Sequence, residues 1–246
     1  MRYWLVMPAA GASERFGGDT PKQYAPLAGR TVIEWALAPF LADPRCAGAV
    51  VAIAADDAGW ARLSTRIAAA PAGRTSAVSS VTGGEQRSLS VRRALAALEG
   101  RAGDEDWVLV HDAARPCLDG RDLERLLGQL AAHPLGGLLA VPAADTLKRA
   151  GDAATGAAAR AVAQTVERAG LWRALTPQMF HYRRLCQALD AAHASGRFPS
   201  DESQALEWLG EHPLLVEGAA SNLKITTAAD LALAAAVLRA PDGGTP

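Results

Sequence analysis

Short runs of apolar residues alternate with longer stretches in which apolar side chains recur every three or four positions. The runs at residues 3–8, 49–54, 77–81, 107–111, 137–142 and 214–217 are rich in Val, Leu or Ile and close on Gly, Pro or polar residues. Each is expected to be a β-strand. The stretches at residues 31–41, 57–69, 88–99, 121–132, 182–194, 201–209 and 228–238 carry the helical spacing. Strand and helix in turn predict an α/β fold, with a mostly parallel sheet, helices on both faces and right-handed crossovers. Open sheets of this kind bind ligands beyond the carboxyl ends of their strands.

One segment interrupts the rhythm. Residues 143–170 are polar and alanine-rich, with low complexity around 153–163 and a strand-like patch at 164–166. The segment is expected to leave the domain as a protruding hairpin arm that buries its apolar residues against a second copy of the chain. A surface loop is the other reading of the same pattern.

The chain has 246 residues, 50% of them hydrophobic, and 25 Lys plus Arg balance 26 Asp plus Glu. That length fits a single α/β domain spanning residues 1–246. A net charge of −1 without charge clusters gives no footprint for nucleic acid or for a membrane surface. The apolar start at residues 3–7 is too short for a signal-peptide core or a spanning helix. Cys46, Cys117 and Cys186 lack C-x-x-C spacing, so neither a disulfide framework nor a cysteine zinc site is expected, and a reducing cytoplasm fits best. Alanine and arginine are both abundant, and the only lysines are Lys22, Lys148 and Lys224. Against that bias each retained lysine is a candidate for chemistry.

The first candidate motif follows the first strand. Pro8-Ala9-Ala10-Gly11-Ala12-Ser13-Glu14-Arg15-Phe16-Gly17 leads to Pro21-Lys22-Gln23-Tyr24. Small residues let backbone N–H groups approach a phosphate, and a nearby Arg and Lys neutralise its charge. The glycine spacing matches neither a Walker A loop nor G-x-G-x-x-G, and a plain strand-to-helix turn remains the alternative. A second constellation ends the strand at residues 107–111, where His111-Asp112-Ala113-Ala114-Arg115-Pro116 puts a carboxylate at the carboxyl edge of the sheet. An aspartate there stays ionised beside Mg²⁺ or a cation, and Mg²⁺ takes one or two carboxylates plus substrate phosphates. Helix capping or pairing with Arg115 is the competing reading.

Taken in order, these motifs resemble the methylerythritol phosphate cytidylyltransferase family. The resemblance continues through Gly83-Gly84-Glu85-Gln86-Arg87-Ser88-Leu89-Ser90-Val91, Asp145-Thr146-Leu147-Lys148-Arg149 and Leu175-Thr176-Pro177-Gln178. It extends to Ser200-Asp201-Glu202, with Ser where Thr is usual, and to Val216-Glu217-Gly218 followed by Asn222-Leu223-Lys224-Ile225-Thr226. It implies a Rossmann-like, homodimeric nucleotidyltransferase of non-mevalonate isoprenoid synthesis. Such an enzyme joins CTP to methylerythritol phosphate with Mg²⁺ and releases pyrophosphate.

The resemblance assigns Arg15 and Lys22 to stabilising the transition state, and Arg168 and Lys224 to positioning the acceptor phosphate for attack. The backbone of Ala9, Ala10 and Gly11 is expected to hold CTP together with Gly83, Gly84, Glu85, Ser90 and Asp112, and Asp112 is also the candidate metal ligand. Carbonyls at Gly83 or Gly84 and the Ser90 hydroxyl can tell the cytosine amino group from a carbonyl. Arg115, Thr146 and Thr176 are expected to bind the acceptor, with Thr146 and Arg168 serving a neighbouring subunit if the arm crosses. His111 is expected to be structural. Two alternatives remain: a pentitol phosphate cytidylyltransferase, such as one acting on ribitol phosphate, and a non-catalytic nucleotide-binding regulator.

Overall fold

Tyr3, Leu5 and Met7 turn to one face of a central sheet while Trp4 and Val6 turn to the other, and all five are buried. A strand covered on both faces reads as a continuous apolar run, which is why this one was visible in the sequence. The computed structural model describes residues 1–11, 16–17, 20–68, 77–151 and 159–240.

In chain order the elements are β1 (Tyr3–Pro8), β2 (Pro26–Leu27), β3 (Arg30–Thr31), α1 (Val32–Ala42), β4 (Cys46–Ile53), α2 (Ala58–Ala68), β5 (Ala77–Thr82) and α3 (Arg87–Ala96). They continue with β6 (Trp107–Val110), α4 (Gly120–Leu130), β7 (Gly136–Pro142), β8 (Leu147–Ala150) and β9 (Val162–Val166). The last are β10 (Trp172–His181), α5 (Tyr182–Ala194), α6 (Glu202–Glu207), β11 (Leu214–Glu217) and α7 (Ala228–Arg239). The seven-stranded sheet runs β11-β7-β10-β6-β1-β4-β5. Only β10 is antiparallel to its neighbours, β6 and β7.

Helices cover both faces, as expected. On one side α1, α2 and α4 pack on the sheet through Ile33, Leu37, Phe40, Leu63, Leu126 and Leu127. On the other, α3, α5 and α6 do so through Val91, Leu95, Leu185, Leu189 and Leu206. Burying one such side chain contributes about 1.5–3 kcal/mol relative to leaving it exposed. α4 shows how the pattern works: Leu123, Leu126, Leu127 and Leu130 share its buried stripe, and Asp119 caps its start by accepting from the Arg121 N–H. Among the described residues no helix is long and apolar enough to cross a membrane.

Besides the two-residue β2 and β3, two strands were not anticipated. β10 carries Arg173, Thr176, Pro177 and Gln178, and its pairing with β7 shifts between Ala174 and Gln178, around a cis Thr176–Pro177 bond. A proline inside a run argues against a central strand, yet here it sits at the irregularity. β8 pairs with β9 as a separate antiparallel ribbon, Leu147 opposite Val166, within the segment expected to form an arm. β8 is exposed throughout, so no apolar face marked it in the sequence. The low-complexity stretch falls largely on residues 152–158, outside the described residues.

Candidate active site

The carboxyl ends of β1, β4, β5 and β6 meet at one edge of the sheet, and backbone bonds lock their loops together. The Ala9 N–H donates to the Ala52 carbonyl at 2.7 Å, Gly83 to Ile53 at 2.7 Å, and His111 to Val6 at 3.0 Å. Between these loops lies a cavity of about 410 Å³. One wall is Pro8 to Gly11 with Lys22 and Gln23, whose side-chain amide donates to the Ala9 carbonyl at 2.9 Å. The opposite wall is Gly84 to Arg87 with Ser90, and Asp112, Ala113, Ala114 and Lys224 complete the lining.

The Gly83-Gly84 turn has no room for side chains. A Cβ on Gly83 would lie 2.5 Å from the Ala10 Cβ, and one on Gly84 2.6 Å from the Leu89 Cβ. Ser90 braces the turn, accepting from the Gly84 N–H at 3.0 Å and lying 3.2 Å from the Gly84 carbonyl. The Gly83 carbonyl accepts from Arg93.

Asp112 lies at the centre of the charge pattern, with 6% of its surface exposed. Its Oδ1 accepts from Arg87 Nε at 2.9 Å, its Oδ2 pairs with Lys224 Nζ at 2.8 Å, and Arg115 Nε stands 3.8 Å from Oδ2. Burial alone would push this carboxyl up. The charges of Arg87, Lys224 and Arg115 outweigh burial and hold it far below the ordinary carboxylate range. Arg87 also grips buried Glu202 with both terminal nitrogens, at 2.7 and 3.2 Å. Burial opposes the Arg87 charge, but the two carboxylates hold its pKa above the ordinary value.

A side cavity of about 150 Å³ shares Arg87, Asp112 and Lys224 with the main one and adds Arg115, Thr176, Gln178 and Asp201. Arg115 donates to the Asn222 carbonyl at 2.7 Å, and the Ile225 N–H donates to Ala114 at 2.8 Å, which brings the Lys224 segment against the Asp112 turn. Arg115 Nε and Asn222 Oδ1 are buried polar atoms without a hydrogen-bond partner in the protein. Of the two residues, Arg115 lines the side cavity, where its Nε suits a polar ligand.

Of the residues singled out in the sequence, Ala9, Ala10, Gly11, Lys22, Gly84, Glu85, Ser90, Asp112 and Lys224 line the main cavity. Arg115 and Thr176 line the side cavity. Gly83 stands behind the wall with its N–H and carbonyl engaged by Ile53 and Arg93. Arg15 lies outside the described residues. Thr146 and Arg168 are exposed at the root of the ribbon, where Arg168 donates to the Ala144 carbonyl, and they line neither cavity. Sequence reasoning passed over three residues: Arg87, Glu202 and Gln178. All three stand inside the motifs that carry the resemblance, and a buried charge calls for a partner, but the 115-residue separation of Arg87 and Glu202 hid their pairing.

A doubly covered sheet with a small-residue loop after β1 and cations converging on an aspartate at the carboxyl edge is the build of a nucleotidyltransferase. The family model of 2-C-methyl-D-erythritol 4-phosphate cytidylyltransferase (IspD) matches residues 3–240. A 2-C-methyl-D-erythritol 4-phosphate cytidylyltransferase of Halorhodospira halophila is 53% identical over 99% of this chain and 97% of its own length. One of Ectopseudomonas mendocina is 50% identical over 94% of this chain and 93% of its own. Among solved structures, a 4-diphosphocytidyl-2C-methyl-D-erythritol synthase superposes with a TM-score of 0.80 at 35% identity, covering 96% of this chain and 98% of that one. The Francisella tularensis enzyme superposes with a TM-score of 0.75 at 32% identity, covering 96% of this chain and all of its own. The chain belongs to the 2-C-methyl-D-erythritol 4-phosphate cytidylyltransferase family.

Proposed function

We propose that this chain, as one nucleotidyltransferase domain with a ribbon arm, transfers a cytidylyl group from CTP to 2-C-methyl-D-erythritol 4-phosphate. The observation that carries the reading is the meeting of two cavities at Asp112, Arg87 and Lys224. The larger carries the small-residue loop and the Gly84 turn expected to hold the nucleotide, and the smaller carries Arg115 and Thr176, expected to meet the acceptor.

An oxygen of the acceptor phosphate attacks the α-phosphorus of CTP in line. The new bond joins that oxygen to phosphorus, the bond from phosphorus to the β-phosphate bridging oxygen breaks, and pyrophosphate leaves with the electron pair. Two anions must approach, so positioning and neutralisation supply the catalysis. Lys22 on the nucleotide wall faces the phosphates, and Lys224 reaches both cavities. Arg15 joins Lys22 in this role. The Ala9 to Gly11 backbone and the Gly84 to Ser90 turn hold the nucleotide. A phosphate monoester, with a second pKa of about 6, is largely ionised at neutral pH, so no strong base is required.

Mg²⁺ suits the donor set, since one ionised carboxylate plus substrate phosphates is its usual provision. Among the described residues no group of three or more His, Cys, Asp or Glu side chains could hold a metal by itself. Asp112 would therefore hold the ion jointly with the nucleotide, and the ion would neutralise phosphate charge. Thr146 and Arg168 act on the site of a second subunit reached by the ribbon. Their exposed places, away from both cavities of their own chain, support that homodimeric reading. A cytoplasmic setting fits the free cysteines.

The test is pyrophosphate release from CTP with a panel of acceptors: methylerythritol, ribitol and glycerol phosphates. Release with methylerythritol phosphate alone is expected. Preference for ribitol phosphate would make the chain a pentitol phosphate cytidylyltransferase, and no release with any acceptor would favour a regulatory role.

A further inference from the structure

We infer that Glu202 is a positioning residue for the transfer, acting through Arg87 to keep Asp112 oriented while Lys224 changes partner. The inference rests on the role of Asp112 proposed above.

The two cations on Asp112 are held very differently. A guanidinium is a rigid planar fork, so fixing two of its nitrogens fixes the direction of the third. Glu202 takes Arg87 Nη1 at 2.7 Å and Nη2 at 3.2 Å, which leaves Nε aimed at Asp112 Oδ1, 2.9 Å away. The Glu202 side chain is 1% exposed and stands in the first turn of α6. That turn is anchored to β10 from two sides. Gln178 donates to Asp201 at 3.0 Å and accepts from the Ser203 N–H at 2.8 Å. Glu202 is thus a fixed point tied to the sheet.

Lys224 has none of this support. Its ammonium sits on a flexible four-carbon stem with 38% of the side chain exposed, and it borders both cavities. When phosphate groups arrive, Lys224 can turn from Asp112 Oδ2 to them at little cost, whereas Arg87 stays between its two carboxylates. Asp112 then remains ionised and correctly aimed, with one oxygen released. Without the Glu202 carboxylate, the Arg87 fork is free to close on Asp112 with two nitrogens and to follow the incoming phosphates.

A buried ion pair can also serve the fold alone, so the experiment separates the two roles by a double-mutant cycle. Pyrophosphate release from CTP and methylerythritol phosphate is measured for wild type, E202Q, R87Q and R87Q/E202Q, with the folded fraction of each read by circular dichroism. E202Q is expected to lower kcat per folded enzyme by about tenfold or more, with a smaller change in KM for CTP. In the R87Q background the same change is expected to cost less than about twofold. Wild-type kcat in E202Q, or losses that multiply in the double variant, would overturn the inference. If E202Q does not fold, E202D takes its place in the cycle, because it keeps the charge but withdraws it by one methylene. D112N is the control for the underlying reading. Full activity in D112N removes that reading and the inference with it, while an impaired D112N beside an unimpaired E202Q overturns the inference alone.

Discussion

The hydroxyl of Thr176 lies 2.9 Å from His111 Nδ1 and accepts from the Asp112 N–H at 3.1 Å. On the other side of the ring, His111 Nε2 is 3.0 Å from the Arg115 carbonyl, which can only accept. The proton therefore sits on Nε2, and Nδ1 accepts from Thr176. Burial lowers the pKa of this imidazole to about 4. The unfolded chain, with the ordinary value near 6.5, takes up a proton that the folded chain refuses. Stability from this group is full above pH 6.5 and is lost as the pH falls toward 4, a change on the order of 3 kcal/mol. His193 also has a lowered pKa, so the comparison with H111Q isolates His111. Thermal melting of H111Q should depend less on pH across this window, and parallel curves for the two proteins would refute the account.

Lys22 offers a point charge beside the nucleotide wall. Lys22→Ala should lower kcat by roughly a hundredfold, the scale of losing one oxyanion-type donor, with little change in melting temperature. Lys22→Arg and Lys224→Arg should also impair turnover, because a planar fork does not replace a compact ammonium. Lys148→Arg should matter less, since Lys148 Nζ donates to Thr165 Oγ1 at 2.7 Å across an exposed ribbon. Equal losses in all three arginine variants would show that the distinction is wrong.

Asp112→Asn removes the anion shared by Arg87, Lys224 and Arg115. Calorimetric titration of CTP should lose most of its Mg²⁺ dependence in this variant. A wild-type metal response would mean that the aspartate only holds the surrounding cations in place.

Gly83→Ala would place a methyl 2.5 Å from the Ala10 Cβ and 2.8 Å from the Ser90 Oγ. One wall of the cavity must then move. We expect kcat/KM for CTP to fall by about ten- to a hundredfold while the helical circular dichroism signal is kept, and unchanged kinetics would show that the turn is more tolerant.

Strands buried on both faces were legible as apolar runs, and β1 has the expected ends, as does β11, an edge strand with only Val216 buried. Helices with a clear stripe were equally legible, and α5 spans Tyr182–Ala194 as expected. β10 escaped because its polar residues and Pro177 face neighbours brought from elsewhere: Thr176 meets Asp112, and Gln178 meets Asp201. The loop motifs located the site because small residues and charges in fixed order are local information. The Arg87–Glu202 pair is not local, and only the packing of α6 against the sheet creates it.

The antiparallel course of β10 carries one more implication. Trp172 pairs with Pro142, so both ends of the ribbon excursion are stapled together at the catalytic edge of the sheet. Whatever length the excursion takes beyond that staple, the strands beneath keep their alignment. The ribbon can accept insertions and deletions as a cassette, while Thr176, four residues along the same strand, keeps its place beside the Asp112 N–H. Variation in the length of the ribbon is therefore expected to leave the catalytic geometry intact.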